Sequence, residues 1–181
     1  MKLANIWGHL CTITHHRHMV MRFCFCVGLY RQGLLHDLSK YSWTEFRVGC
    51  KYYQGTRSPN NAEREETGYS RAWLHHKGRN RHHYEYWIDY SIKPGEGMIG
   101  LEMPVNYVVE MFLDRIAASK IYERDAYTDR SPLRYYERGA AEMMIHPKTR
   151  KLLKHLLEML AEKGERKTLS YIRNTILKYN H

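Results

Sequence analysis

The chain has 181 residues, a length typical of one domain with a single hydrophobic core. Lysine and arginine together number 29 against 19 aspartate and glutamate residues, and the resulting net charge of +10 favours an anionic partner such as a nucleotide, a phosphate ester or nucleic acid. No apolar stretch is long enough to cross a bilayer, and the N-terminus lacks the features of a signal peptide. We therefore expect a cytoplasmic protein that is not embedded in a membrane.

The first third of the chain contains all four cysteines, Cys11, Cys24, Cys26 and Cys50. Cys24 and Cys26 are too close in sequence for an ordinary disulfide framework, and no second cysteine pair completes a zinc site. These residues are therefore predicted to be reduced and to act as small hydrophobic side chains in the core.

Apolar residues recur at helical spacing in every segment where a pattern is readable. The pattern predicts a long helix over residues 5–28 and a second over residues 105–122, which follows Pro104. No convincing pair of strands is present, so the predicted class is all-α, with at least six helices. We predict one helical bundle domain over residues 1–181, with its core at about 5–122 and C-terminal helices at about 147–179, the last ending near Tyr179.

The middle of the chain is predicted to contain shorter helices. Ser42 is the expected N-cap of one helix, with Glu45 as its capping-box partner. Another helix is expected to resume near Ala62, to continue through His76 and to end at Gly78. Residues 82–87 are expected to open a further helix, and a loop is predicted from residue 91 to residue 97.

Histidines are concentrated around one dipeptide, His36-Asp37, in the segment Gly33-Leu34-Leu35-His36-Asp37-Leu38-Ser39-Lys40. If this segment is helical, His36 and Lys40 share a face and Asp37 is rotated by about 100°. A lone His-Asp pair is usually solvated, but this chain contains further histidines and an aspartate that could act together with the pair. The other histidines and one aspartate of interest are His15, His16, His18, His75, His76, His82, His83 and Asp114.

The order of these residues resembles that of the HD-domain superfamily of metal-dependent phosphohydrolases. The superfamily has a histidine on one helix, His-Asp on a second, often extra histidines, and an aspartate on a later helix. The segments from Leu34 to Lys40 and from Leu113 to Ala118 resemble its His-Asp and last-ligand segments. The resemblance covers about residues 12–122, and the sequence between the ligands is most similar to that of uncharacterised members.

The resemblance implies a helical bundle of the HD-domain type that binds one or two divalent metal ions. His16, His36, Asp37 and Asp114 would form the mononuclear set. The two downstream histidine pairs would add ligands for a second ion, with His76 and His82 favoured. The alternative ligands are His15, His75 and His83. Imidazole and carboxylate ligands suit Mn, Fe, Co, Ni or Zn, and Mg suits an oxygen-richer position.

Roles in catalysis also follow from the resemblance. Asp37 or Asp114 would orient the attacking water, and Lys40 resembles a family lysine that lies next to the site and can contact a phosphate. Further basic residues are second candidates for binding substrate, although ordinary surface charge explains them equally well. These candidates are Lys77, Arg79, Arg81 and Arg115.

Three functions are compatible with this pattern. The first is a phosphohydrolase in which metal-activated water attacks a phosphomonoester or phosphodiester, such as that of a nucleotide. The second is a di-iron oxygenase of the myo-inositol oxygenase type, a member of the same superfamily, which would contain iron and consume oxygen. The third is a basic, non-catalytic interaction protein with a structural metal.

Overall fold

A computed structural model describes residues 2–178 of the chain, and helices dominate it. The helices are α1 (Leu3–Val27), α2 (Tyr30–Leu35), α3 (Trp43–Lys51), α4 (Pro59–Thr67), α5 (Arg71–Lys77), α6 (Val105–Glu123), α7 (Ser131–Gly139), α8 (Pro147–Lys163) and α9 (Glu165–Tyr171). The predicted helical character is therefore confirmed. Among the described residues, no helix combines the length and the apolar character needed to span a membrane.

Shorter elements connect the helices. The 3-10 turns are Leu38–Tyr41, Tyr84–Trp87 and Arg124–Ala126, and a π-helical turn, Ile172–Ile176, follows α9. Strands β1 (Ile88–Tyr90) and β2 (Met98–Gly100) form an antiparallel hairpin in which Asp89 pairs with Ile99. The sequence analysis did not predict this hairpin, because each strand has three residues and gives little alternation of polarity to recognise.

Helix α1 presents one continuous face to the rest of the protein. Its buried residues are His9, Ile13, His16, Val20, Phe23, Cys24 and Val27. These residues recur at intervals of three or four, so they form one stripe on a helix with 3.6 residues per turn. The helix ends at Gly28, whose φ of 91° is in the left-handed region that glycine adopts without strain. The stripe places two histidines in line with core side chains.

Helix α6 lies at the centre of the core and packs against both α1 and α8. Its buried apolar residues are Val108, Val109, Met111, Phe112, Leu113, Ile116 and Ala117. Helix α8 contributes Leu153, Leu156, Leu157 and Leu160, all fully buried. Because α6 is buried on several sides, a polar side chain on it must find a partner inside the protein.

Several local predictions were wrong. The helix expected from Ala62 to His76 is interrupted at Gly68, whose φ is 82°, so α4 and α5 are separate. Ser42 makes no capping hydrogen bond within the described part of the chain, and the Glu45 side chain turns toward α5 instead. The predicted helix after His82 is a single 3-10 turn that leads into β1. The predicted helix end near Tyr179 lies outside the described residues.

The cysteine prediction holds for two residues of four. Cys24 and Cys50 are buried, whereas Cys11 and Cys26 are exposed, and all four are free thiols. Cys11 and Cys26 fall on the outer side of α1, away from its buried stripe, because residues two apart on a helix are separated by about 200°.

Candidate metal centre

The His-Asp pair lies in a break between two helical segments. Helix α2 ends at Leu35 and the 3-10 turn begins at Leu38, so the segment is not one continuous helix and the helical spacing of His36 and Lys40 does not apply. Asp37 has φ 55° and ψ 21°, a left-handed conformation that is uncommon for a residue other than glycine but is tolerated by aspartate. The break directs both side chains inward, and His36 and Asp37 are each 1% exposed.

One group of four residues joins α1, the break and α6. His16 Nε2 lies 2.9 Å from Asp114 Oδ1 and 3.3 Å from Asp37 Oδ2. His36 Nε2 lies 3.3 Å from Asp37 Oδ2 and 3.5 Å from Asp114 Oδ1. One ligand atom from each of the four lies within 4.8 Å of the others, so together they can hold a metal ion. We call this group the first metal position.

A second group shares Asp37 and adds one histidine from the end of α5 and two from the segment between α5 and β1. His76 Nε2 lies 3.3 Å from Asp37 Oδ1, and His82 Nε2 lies 3.5 Å from the same oxygen. The ring of His83 lies 4.2 Å from that of His82, measured between ring centres. One ligand atom from each of Asp37, His76, His82 and His83 lies within 4.8 Å of the others, so this group can also hold a metal ion. We call this group the second metal position.

The polar atoms at the centre of these two groups make few hydrogen bonds within the protein, although Asp37 Oδ2 has the Lys40 ammonium as an ion-pair partner. In the part of the chain that the structure describes, Asp37 Oδ1, Asp37 Oδ2, His82 Nε2 and His83 Nε2 are buried and lack hydrogen bonds. Buried polar atoms rarely remain without a partner. Because these four converge on the same region, a bound cation fits them. The Lys40 ammonium lies 2.5 Å from Asp37 Oδ2 and supplies one positive charge there.

Charge coupling keeps the aspartates ionised despite their burial. Burial by itself would raise the pKa of Asp37, but His36, Lys40 and His76 hold it well below its usual range. The pKa of Asp114 is likewise well below its usual range, because hydrogen bonding to His16 and His36 outweighs burial. Both aspartates therefore carry the negative charge that a metal ligand needs.

The pKa values of His36 and His83 are shifted in opposite directions. Burial would lower the pKa of His36, but the charge of Asp37 and hydrogen bonds to carboxylates raise it well above the usual value. In contrast, burial, together with the nearby His82 and His76, lowers the pKa of His83 well below the usual value. A divalent metal would displace the proton from the first ring and find the second already neutral.

Two carboxylates behind the histidines were not predicted as site residues. Glu110 on α6 is 4% exposed and lies 2.8 Å from His36 Nδ1 and 3.1 Å from His82 Nδ1. Glu45 on α3 lies 2.6 Å from His75 Nδ1 and 2.8 Å from His76 Nδ1. The available signal for Glu110 was an acidic residue in an apolar stretch, one helical turn before Asp114.

The structure separates the alternative histidines. His15 is exposed and belongs to neither metal position among the described residues, whereas His16 is buried in the first. His75 hydrogen-bonds to Glu45 and lies outside both positions. His83 belongs to the second position together with His76 and His82. Ligation by each of these residues stays a prediction.

The remaining basic candidates lie around the histidines without a described contact to either metal position. Lys77 is partly buried, Arg79 is exposed, and the guanidinium of Arg79 lies 3.5 Å from the His75 carbonyl oxygen. The Arg81 guanidinium covers the Tyr86 and Tyr107 rings. Arg115 follows Asp114 on α6 and covers the Tyr136 ring. Their role in binding substrate therefore stays a prediction.

The fold and the site define a mostly helical protein with two adjoining clusters of buried histidine and aspartate that can hold metal ions. A model for a family of unknown function, DUF5662, matches residues 5–159. The chain therefore belongs to that family. Comparisons with curated proteins and with solved structures found no match.

Proposed function

We propose that the protein is a metal-dependent phosphohydrolase that cleaves a phosphomonoester or phosphodiester, such as that of a nucleotide. The observation that supports this proposal most directly is the placement of Asp37. Its Oδ2 faces the first metal position and its Oδ1 faces the second, so one carboxylate can serve two ions. The order of the ligands along the chain, which resembles that of the HD-domain phosphohydrolases, supports the same proposal.

The residues available in each position restrict the metal. The first position offers two histidines and two aspartates, and the second offers three histidines and the shared Asp37. Imidazole nitrogens suit Mn, Fe, Co, Ni or Zn better than Mg, which prefers oxygen. Such ions, when bound, lower the pKa of coordinated water toward about 7 and polarise a phosphoryl oxygen.

We expect substrate to approach from the more open side of the site. The side chains of Asp114 and Lys40 are 17% and 28% exposed, whereas those of His36 and Asp37 are 0% and 1% exposed. A phosphate group entering on this side meets the Lys40 ammonium, which neutralises charge on its oxygens. Asp114 would orient the attacking water through a hydrogen bond. The oxygen of that water bonds to phosphorus and its proton passes to solvent, while the ester oxygen leaves and is protonated by solvent.

A di-iron oxygenase of the myo-inositol oxygenase type is the second candidate. The specific observation in its favour is the number of histidine rings, five in the two positions together, because imidazole is a good ligand for iron. The two candidates differ in their requirements. The oxygenase needs iron and consumes dioxygen, whereas the phosphohydrolase releases phosphate or cleaves a diester without an oxidant.

The test is to strip the protein of metal with a chelator, reload it separately with Mn, Fe, Co, Ni, Zn or Mg, and assay a panel of nucleotides and phosphoesters. We expect hydrolysis that returns with a transition metal and is lost on chelation. Lys40→Gln should raise KM, while Lys154→Gln, a matched change at an exposed lysine of α8, should leave it unchanged. Oxygen consumption by the iron-loaded protein, without hydrolysis, would support the oxygenase instead.

A further inference from the structure

Three histidines of the candidate site share one arrangement. His36, His76 and His82 each place Nε2 within 3.5 Å of an Asp37 oxygen. Each of them also places Nδ1 within 3.1 Å of a buried glutamate. A carboxylate that accepts a hydrogen bond from Nδ1–H fixes the ring orientation and leaves Nε2 free to bind a metal.

The two glutamates differ in how they distribute this support. Glu45 holds His76, a residue of the second metal position, and its other oxygen receives His75, which belongs to neither position. Glu110 contacts His36 of the first position and His82 of the second through the same oxygen, Oε1. The rings of His36 and His82 lie 4.5 Å apart, which lets one oxygen reach both Nδ1 atoms.

We propose that Glu110 is a positioning residue that orients one histidine of each metal position and thereby couples the binding of two metal ions. This inference rests on the two-metal site of the proposed function and extends it to a residue that is not expected to bind metal. Removing the carboxylate should weaken both positions together. Removing the Glu45 carboxylate should weaken the second position alone.

An alternative role for Glu110 is direct metal ligation. Its carboxylate lies close enough to His36 and His82 for the three residues to hold a metal ion. The separations of 2.8 Å and 3.1 Å between nitrogen and oxygen are those of hydrogen bonds. Binding through Nδ1 would also leave both Nε2 atoms directed at Asp37 without a metal. The geometry therefore favours orientation over ligation.

Zinc binding to the purified, metal-free full-length chain tests the coupling. Calorimetric titration with Zn²⁺ alone, checked by the zinc retained after dialysis, should show two ions per wild-type chain. Glu110→Gln should weaken both binding steps by about 10–100-fold each, the range measured for groups that orient metal ligands. The matched control, Glu45→Gln, should weaken one step by a similar factor and leave the other unchanged.

A spectroscopic measurement on the wild-type protein makes the test independent of variants that fail to fold. Long-range proton–nitrogen NMR spectra of the zinc-loaded chain should show Nδ1–H protons on His36 and His82, with Nε2 bound to zinc. In Glu110→Gln at saturating zinc, protection of these two protons from exchange should be lost while that of His76 persists. In Glu45→Gln, protection of the His76 proton should be lost while that of the His36 and His82 protons persists.

Several results would overturn the proposal. These are a single zinc ion per wild-type chain, a Glu110→Gln effect confined to one step or absent, and zinc bound to Nδ1 of His36 or His82. Failure of the proposed function is distinguishable from these outcomes. A chain that binds two zinc ions with the expected coupling, but hydrolyses no phosphoester with any metal, would retain the role of Glu110 and lose the phosphohydrolase assignment.

Discussion

The two sides of α6 differ in how they are held together. On the side of the core, Phe112, Leu113 and Ile116 belong to the same buried apolar cluster as the leucines of α8. On another side, Glu110 and Asp114 face histidines, and the structure is held by charges and hydrogen bonds. The apolar side stabilises the fold by removing surface from water. The polar side holds ionised groups whose burial is costly unless each has a partner.

This difference indicates that stability and metal chemistry are separable in this protein. A change on the apolar side should alter the free energy of unfolding and leave the metal positions intact. A change at the centre of the polar side should remove metal binding while the apolar core still holds the helices together. Two changes test this separation directly, and two more test how other parts of the fold are stabilised, in order of decreasing expected effect.

Asp37→Asn should lower metal-dependent hydrolysis by at least about a thousandfold, equivalent to about 4 kcal/mol, since it removes the charge shared by both metal positions. Asparagine tolerates the left-handed backbone at this position, so the metal-free protein should keep its helical content. Activity assays and circular dichroism measure the two quantities. The control, Asp125→Asn at an exposed aspartate, should change neither. If the Asp37→Asn variant retained two metal ions and wild-type rates, Asp37 would not be the ligand shared by both metal positions.

Leu157→Ala should destabilise the protein by about 2–5 kcal/mol, because it leaves a cavity where a fully buried side chain packs. Denaturant unfolding of the metal-free chain measures the effect, and zinc stoichiometry should stay unchanged. Leu152→Ala, at a partly exposed position of the same helix, should cost less. If Leu157→Ala lowered zinc stoichiometry without loss of stability, the two sides of α6 would not be separable.

His9 should make stability depend on pH. Burial, and secondarily the charge of Lys40, lower its pKa from 6.5 to about 4. Between these values the unfolded chain binds a proton at His9 that the folded chain does not, so stability falls as pH falls from 6.5 to 4, by about 3 kcal/mol in total.

The measurement is denaturant unfolding at pH 7 and pH 5 with a chelator present. The wild type should lose about 2 kcal/mol more than His9→Leu between these values, because the variant lacks the titrating ring. The control, His18→Leu at an exposed histidine of the same helix, should lose as much as the wild type. Equal losses in the wild type and His9→Leu would contradict the prediction.

Ser70→Ala should destabilise the protein by about 1–2 kcal/mol. Ser70 Oγ accepts a hydrogen bond from the Trp73 backbone N–H at the start of α5 and donates one to Glu63. Ser42 precedes α3 but makes no such capping bond in the described part of the chain, so Ser42→Ala is the matched control and should not destabilise the protein. Thermal unfolding of both variants measures the difference, and equal effects would show that the cap of α5 is not stabilising.

The long helices could be predicted from the sequence because their signal is local. The apolar spacing in residues 5–28 and 105–122 identified α1 and α6 to within a few residues. The short elements could not be predicted in the same way. A hairpin with three residues per strand and the break at Gly68 depend on contacts with the rest of the protein more than on local spacing.

The sequence by itself determined which side chains are available and in what order, which was enough to single out His16, His36, Asp37 and Asp114. Tertiary structure decided how they are used. Folding gave Asp37 its left-handed backbone and its two-sided contacts, brought His82 and His83 close to Asp37, and placed Glu110 behind two rings from distant segments. The physical reason is burial: only packing of α1, α3, α5 and α6 removes these groups from water, and ionised groups without water must find partners in one another.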